Sequence, residues 1–412
     1  MRKAMKFAVE KLTKEGVRSG TVTGCKSDPE RVTRTPMCMV HTIVGSAPNL
    51  ARDMLDRIEC LPATVHYTLS SLTEHHDAIG DYGKGIANFA AMRGFLSYCS
   101  IQDPAVAVTP GYNDKASVSV WGRAGRIKID MDMFVKVQEA LKVDCYQALS
   151  DGDTDKESSR KRIRKSVDRT LDFLDKCIER HQTSKELQDS GIFGVIEGGF
   201  DEQERLRSAK ETAKRPVSGF CIEGFHNMGP AAEAFNITEV SSLLKSVMEV
   251  LPKDKPRLMH GTWRPDKVME ALALGIDIFD SSYPYIVTER NSALVFDFEL
   301  PKHDPEADNG DGQKKEREKL NENSQPFEMN MKNTEHFESF LPLYEGCSCY
   351  TCKTHSRSYI HHLINTSELL AGILLMIHNF HHYFLFFETI RTAIATDRLP
   401  ELEEKIKSQL QE

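Results

Sequence analysis

The chain has 412 residues, of which 40% are hydrophobic and 28% are charged, and its formal net charge is −8. This apolar content is enough for a large buried core, and the length fits two or three domains or one α/β barrel with insertions. The mild acidity does not favour general nucleic-acid binding, although it leaves room for a local basic face. Ten cysteines are too few for a disulfide scaffold, so we expect a reduced, cytoplasmic protein.

The predicted elements change character along the chain. Residues 35–42 and 63–69 are predicted strands, and 116–130 a hairpin with glycines in its turn. Helices then alternate with strands: helices at 133–141, 156–180, 201–214, 239–250 and 266–273, and strands at 143–149, 191–196, 219–222, 257–260 and 276–279. Such alternation is typical of parallel βαβ units with right-handed crossovers. We therefore predict a (β/α)8 TIM-type barrel, with a doubly wound open sheet as the alternative.

Three regions follow from this pattern. Residues 1–300 are predicted to form the barrel with an amino-terminal β-rich segment. Residues 301–335 are mostly hydrophilic and charged, which predicts a disordered insertion. Residues 336–412 are predicted to form a helical metal-binding module that completes the barrel. Its apolar stretch 369–390 contains several histidines and Asn379, which would be costly in lipid, so a buried helix is favoured over a membrane span.

A cysteine motif predicts a structural zinc site in this last region. Cys347, Cys349 and Cys352 fall within six residues, and zinc prefers four soft or borderline ligands in a tetrahedron. The alternative is three reduced cysteines without a metal, which we consider the weaker interpretation. Spacing alone does not select the fourth ligand, for which six histidines are available: His355, His361, His362, His378, His381 and His382.

The same motif resembles that of the tRNA-guanine transglycosylase family, in which a histidine follows the last cysteine by 26 residues. Counting 26 residues from Cys352 leads to His378, so the resemblance implies that His378 is the fourth zinc ligand. Further segments are similar to family motifs: 198–207, 219–225, 254–261 and 275–280. The resemblance covers most of the chain and implies a barrel with the zinc module attached near its end.

Departures from the family pattern bear on activity. Active members carry an Asp-Ser-Gly-Gly-Phe-Gln motif whose aspartate is the general base, but the matching region here is 109–117 and lacks it. The base-recognition strand ends in Glu223-Gly224-Phe225 instead of Gly-Gly-Leu, which would place bulk where a purine should lie. Asp280 remains at the nucleophile position, where it could attack the ribose C1′ or, as we favour, be a strand-end aspartate bound by backbone groups. We therefore expect no catalytic residue and no cofactor-binding residue.

The segments 69–76, 165–169, 284–290 and 346–350 resemble the non-catalytic eukaryotic branch of the family. This resemblance implies a heterodimer with a catalytic subunit that exchanges guanine for queuine at the wobble position of tRNAs with GUN anticodons. It also implies tRNA contact through the complex, a homodimer as a further assembly, and peripheral attachment to the mitochondrial outer membrane. The alternatives are an active transglycosylase with Asp280 as nucleophile, or a tRNA-binding adaptor.

Two further features concern partners. The basic run 160–165 could contact tRNA phosphates, but flanking acidic residues favour a solvated helix face. The aromatic stripe covers nearly all sides of its helix, so it must be buried. Because family members dimerise through this region, the resemblance favours a dimer interface over core packing for the stripe, which comprises Phe380, Tyr383, Phe384, Phe386 and Phe387.

Overall fold

The computed structural model describes residues 5–226, 228–261, 263–300 and 325–410. The chain divides into two compact units. The first comprises Met1–Arg57 and Leu61–Ile286, and the second comprises Ile58–Cys60 and Val287–Glu412.

The first unit begins with a small antiparallel sheet in the order β1-β2-β3, formed by β1 (Lys6–Leu12), β2 (Arg18–Thr23) and β3 (Thr33–Thr35). Phe7 and Val22 of this sheet belong to the same apolar cluster as Met37 and Ile278, the first residues of two barrel strands. The small sheet therefore covers the end of the barrel at which the strands begin. The opposite end, where the strands finish, is the usual location of functional sites in this architecture.

The barrel follows. In chain order, the strands of this region are β4 (Met37–His41), β5 (Thr64–Thr68), β6 (Leu96–Ser100), β7 (Ser117–Gly122), β8 (Gly125–Asp130), β9 (Cys145–Gln147), β10 (Gly191–Ile196), β11 (Gly219–Ile222), β12 (Arg257–Met259) and β13 (Ile278–Asp280). Strands β7 and β8 form an antiparallel hairpin, and the other eight close into a parallel barrel in which β13 pairs with β4. The predicted barrel and hairpin are confirmed, and the open-sheet alternative is wrong.

Helices follow the barrel strands: α1 (Arg52–Leu55), α2 (Leu69–Leu72), α3 (His76–Tyr82), α4 (Ile86–Phe89), α5 (Met131–Leu141), α6 (Arg160–Thr183), α7 (Glu202–Ala213), α8 (Ser241–Val250), α9 (Pro265–Ala273) and, after the last strand, α10 (Ser282–Glu289). Side chains at alternate strand positions fill the barrel interior, as in other barrels of this type. Met37 and Met39, for example, join Phe193 and Val195 in one buried cluster. The barrel is thus a packed core and not a pore.

The described residues of the second unit form a two-stranded sheet and four α-helices: β14 (Ser292–Leu294), β15 (Glu328–Asn330), α11 (Tyr350–Thr354), α12 (Arg357–Asn365), α13 (Leu369–Ala395) and α14 (Leu399–Ser408). Apolar side chains from β14, β15, α12 and α13 form its core. Helix α13 is long and apolar enough to cross a membrane, but 72% of its most apolar window is buried inside the chain. This burial agrees with the predicted core helix.

Two predictions about this region need correction. The insertion expected at 301–335 ends earlier, because β15 pairs with β14 and the side chains of Phe327, Met329 and Met331 are buried. These apolar residues alternate with polar ones, which is typical of a strand, but the hydrophilic composition of the whole 301–335 segment hid this pattern. Residues 301–324 lie outside the described residues, and the two units divide between Ile286 and Val287 instead of at residue 300.

The aromatic stripe of α13 is the second correction. All five side chains are at most 2% exposed within the single chain. Aromatic contacts with Phe296 and Phe298 help to bury Phe386, and Tyr383 packs on Phe387. The stripe is therefore core packing, and the expectation that it forms a dimer interface is wrong.

Candidate metal centre and the carboxyl-terminal end of the barrel

Local structure brings the three cysteines of the second unit together. Gly346 has a left-handed backbone (φ +82°), which turns the chain just before Cys347. Cys349 is the N-cap residue of α11, and its Sγ accepts a hydrogen bond from the backbone N–H of Cys352 at 3.3 Å. The cysteine spacing therefore places the sulfur of Cys349 just before α11 and that of Cys352 on the first turn of this helix.

His378 on α13 supplies a nitrogen to the same point. Its Nδ1 lies 3.7, 3.6 and 3.3 Å from the Sγ atoms of Cys347, Cys349 and Cys352, respectively. The four donor atoms all lie within 4.8 Å of one another. A tetrahedral zinc with its usual bond lengths would separate a sulfur from a nitrogen ligand by about 3.6 Å. The four side chains could thus hold one metal ion, and their spacing is consistent with zinc.

Strand β14 orients His378. Its Nε2 donates to the backbone oxygen of Leu294 at 2.8 Å, so Nδ1 presents its lone pair to the sulfurs. The next residue, Asn379, accepts from the backbone N–H of Leu294 at 2.8 Å and donates to the oxygen of Ser292 at 3.0 Å. Both side chains are fully buried. The ring is therefore held rigidly in the tautomer that a metal requires.

The other histidines that spacing left open contact other groups or are exposed, although His382 also contacts the sulfur of Cys347. His361 Nδ1 lies 2.7 Å from the oxygen of Met331, and His382 Nε2 lies 2.8 Å from that of Phe296. His355 forms a hydrogen bond with Thr354, and His381 forms one with Ser348. His362 is exposed. His378 is the one whose ring nitrogen lies within 3.7 Å of all three sulfurs.

Asp280 ends the last barrel strand and has no exposed surface. Its Oδ1 accepts a hydrogen bond from the N–H of Ser282 at 3.0 Å, and its Oδ2 faces the N–H of Gly261 at 3.4 Å and Nδ1 of His260 at 3.3 Å. Burial by itself would raise the pKa of this carboxyl, but the contact and charge of His260 lower the pKa to about 2. Asp280 is therefore a buried strand-end carboxylate that contacts backbone N–H groups and the ring of His260.

Histidines that sequence analysis missed surround Asp280. His66 stacks on His260 with ring centroids 4.8 Å apart, and His41 lies 6.1 Å from His66. Burial, followed by the charge of His260, lowers the pKa of His66 well below its ordinary value. These residues are far apart in the sequence, and the available signal was their position at or just after the ends of barrel strands.

The resemblance places the family's general base in the 109–117 segment. Residues 109–116 form an irregular loop before β7, and Asp114 is the one carboxylate in the 109–117 segment. Asp114 pairs with Lys128 at 3.0 Å, and its Oδ1 accepts backbone N–H groups of Ala116 and Ser117. The hydrogen bond with Lys128 is the largest cause that lowers its pKa to about 2. A carboxylate held in this way is a poor proton acceptor at neutral pH.

The side chain of Glu223, at the end of β11, is held by hydrogen bonds within the chain. Its carboxylate accepts from Gln147 at 2.9 Å and Ser150 at 3.2 Å, and it lines a small cavity with Gly224. The neighbouring Glu197 is fully buried, and burial followed by the charge of Glu223 raises its pKa well above the ordinary value. Phe225 does not enter the cavity lining, because its ring packs 3.8 Å from the guanidinium of Arg205. The expected bulk is thus supplied by Glu223 and not by Phe225.

The basic run at the start of α6 is partly neutralised. Arg162 contacts Asp151 through two nitrogens at 3.0 and 2.6 Å, and Arg160 lies 3.5 Å from Asp201. Lys161, Arg164 and Lys165 are exposed. Of the basic side chains in 160–165, these three could bind a phosphate without breaking the ion pairs that Arg160 and Arg162 form.

Comparison with known proteins identifies the family of the chain. The family model described as queuine tRNA-ribosyltransferase (TGT) matches residues 14–412. The "Queuine tRNA-ribosyltransferase accessory subunit 2" of Homo sapiens is 44% identical over 98% of this chain and 100% of its own length. The proteins of that name from Xenopus tropicalis and Culex quinquefasciatus are 43% and 35% identical, over 98% and 97% of this chain and 100% and 90% of their own lengths. The chain therefore belongs to the queuine tRNA-ribosyltransferase family.

Proposed function

We propose that this chain is a non-catalytic accessory subunit of a heterodimeric queuine tRNA-ribosyltransferase. In this proposal its catalytic partner exchanges guanine for queuine at the wobble position of tRNAs with GUN anticodons. The name shared by full-length relatives supports the accessory role. The observation that carries the proposal is the complete burial of Asp280, the residue at the family's nucleophile position.

A nucleophile must reach the sugar carbon that it attacks, and it works with a positioned acid–base partner. Asp280 has no exposed surface, and both of its oxygens face donor groups of the chain. The carboxylate of Asp114 is held by Lys128. Neither half of the catalytic pair is free to act, which favours the accessory role over an independently active transglycosylase.

We propose further that Cys347, Cys349, Cys352 and His378 bind one structural zinc ion. Four protein ligands would fill a tetrahedron and leave no position for water or substrate, as in closed structural sites. The second contact of His378, to Leu294, would tie the ion to β14. Zinc in this role would stabilise the second unit instead of taking part in base exchange.

We also propose cytoplasmic localisation, tRNA contact through the complex and peripheral attachment to the mitochondrial outer membrane. Exposed Lys161, Arg164 and Lys165 support the tRNA contact, whereas the attachment rests on the family resemblance alone. A homodimer is proposed for the chain without its partner. Native mass measurements on the chain alone and in the mixture would separate monomer, homodimer and heterodimer.

Asp280→Asn tests the accessory role. The variant, mixed with the catalytic subunit, should still support guanine exchange, because in this proposal the nucleophile belongs to the catalytic subunit. The matched control removes the nucleophile of the catalytic subunit and should abolish exchange. Loss of exchange with a folded, heterodimeric Asp280→Asn chain would favour the alternative, in which this chain is itself an enzyme, provided that His260→Gln retains exchange.

A further inference from the structure

Five ionisable side chains meet at the end of the barrel where the strands finish. His41 ends β4, His66 lies on β5, and Asp280 ends β13, while Asp103 and His260 follow β6 and β12 closely. These strands are consecutive around the barrel, because β13 pairs with β4. All five residues are at most 5% exposed. Such a concentration of imidazole and carboxylate groups away from water requires partners.

Three of these residues converge on one point. One donor atom from each of His66, His260 and Asp280 lies within 4.8 Å of the other two. His260 Nδ1 and Asp280 Oδ2 are 3.3 Å apart, which is long for a charge-assisted hydrogen bond of about 2.7–2.9 Å. Two nitrogen or oxygen ligands of a tetrahedral metal ion would lie about 3.4 Å apart. The pair is thus spaced as two ligands of one ion would be.

The hydrogen bonds of His66 define its tautomer. Ser100 donates its only hydroxyl proton to the oxygen of Gln102 at 2.7 Å. His66 Nε2, 2.7 Å from the same Oγ, must therefore be the donor. The lone pair is then on Nδ1, which is buried and has no hydrogen-bond partner. This is the form of histidine that binds metals, with its other nitrogen anchored by the protein.

His41 adds a second unsatisfied group. Neither of its ring nitrogens has a hydrogen-bond partner, although Nε2 lies 3.6 Å from Asp103 Oδ1. A buried polar group without a partner is destabilising, so a missing ligand is expected beside it. The neighbouring group of Cys221, Glu223 and His260 is the weaker candidate, because Glu223 already accepts from two side chains.

We propose that His66, His260 and Asp280 bind a divalent transition-metal ion, separate from the cysteine site. Two imidazoles and one carboxylate suit Zn²⁺, Fe²⁺ or Mn²⁺, and three protein ligands leave positions for water. His41, whose ring centroid lies 6.1 Å from that of His66, would hydrogen-bond the bound water. The ion would replace the long contact between His260 and Asp280 with two coordinate bonds.

The test is the metal content of the full-length purified chain, measured by elemental mass spectrometry for all first-row metals. We expect two ions per wild-type chain and one ion in His260→Gln and in Asp280→Asn. His76→Gln is the matched control, since His76 is a buried histidine outside the cluster, and it should keep both ions. Circular dichroism would verify the fold of each variant.

The wild-type chain alone also decides the matter if a variant does not fold. X-ray absorption should find nitrogen and oxygen ligands in excess of a site with three sulfurs and one nitrogen. One ion per wild-type chain with only that ligand set would overturn the proposal, as would two ions retained in folded Asp280→Asn. Neither readout depends on base exchange, so the accessory role and the second metal site can fail separately.

Discussion

Replacing Cys349 by Ala removes a ligand and a helix cap in one step. The side chain is 2% exposed, and its Sγ lies 3.6 Å from His378 Nδ1 and 3.3 Å from the N–H of Cys352. Without this sulfur the tetrahedron is incomplete, so we expect the ion to be lost. His378 Nδ1 and the sulfurs of Cys347 and Cys352 would then remain without their common partner.

The magnitude follows from these contacts. Loss of an N-cap costs about 1 kcal/mol. A buried nitrogen and two partly buried sulfurs without partners add about 1 kcal/mol or more each. The total is at least about 4 kcal/mol before the free energy of metal binding, which reaches about 10 kcal/mol or more in small zinc domains. At about 3 °C per kcal/mol, the melting transition of the second unit should fall by more than about 10 °C.

Differential scanning calorimetry and metal analysis of the full chain would measure both effects. Cys60→Ala is the matched control in the same unit, because burial raises the pKa of this thiol to about 12 and it donates to the oxygen of His381 at 3.4 Å. Losing that single hydrogen bond should cost about 1 kcal/mol and no metal. If Cys349→Ala keeps its metal and melts like the control, the ligand assignment is wrong.

Three further substitutions test the buried polar contacts, by urea unfolding. Asn379→Ala removes the hydrogen bonds of this side chain with two backbone groups of β14 and one hydroxyl of α10, and should cost about 3 kcal/mol. A cost below about 1 kcal/mol would contradict the anchoring role of Asn379. Arg205→Met removes the side-chain donor of the backbone carbonyls of Gly199 and Glu223 and should cost about 2–4 kcal/mol, whereas an unchanged free energy of unfolding would refute this reasoning. Burial raises the pKa of Glu197 well above its ordinary value of 4.5 in the folded chain, so wild-type stability falls as the pH rises above that value. Glu197→Gln should remove this fall, and a stability difference from wild type that is constant between about pH 5 and 8 would exclude it.

The later barrel strands were predictable because each is a short apolar run followed by an amphipathic helix. Strand β6 (Leu96–Ser100) was missed, since a five-residue segment with polar side chains becomes a strand through pairing with β5 and β9. Closure of the barrel likewise depends on pairing between β4 and β13, near the two ends of the first unit. Local patterns carry no information about such distant partners.

The cysteine site was predictable because three ligands are adjacent in the sequence, whereas spacing could not choose His378 among six histidines. That choice depends on the position of α13 relative to α11, and the family resemblance supplied it. The cluster around Asp280 was not predictable, because each member is a single polar residue at a different strand end. The same holds for Glu223, whose bulk was expected but whose partners Gln147 and Ser150 come from another strand and its loop.

The most direct test of the accessory role is guanine exchange into a tRNA with a GUN anticodon. The purified chain, the catalytic subunit and their mixture would be assayed side by side at equal concentrations. The burial and hydrogen bonding of Asp280 predict no exchange by the chain alone and full exchange in the mixture. Exchange by the chain alone, abolished in Asp280→Asn, would contradict the account and identify the chain as an enzyme.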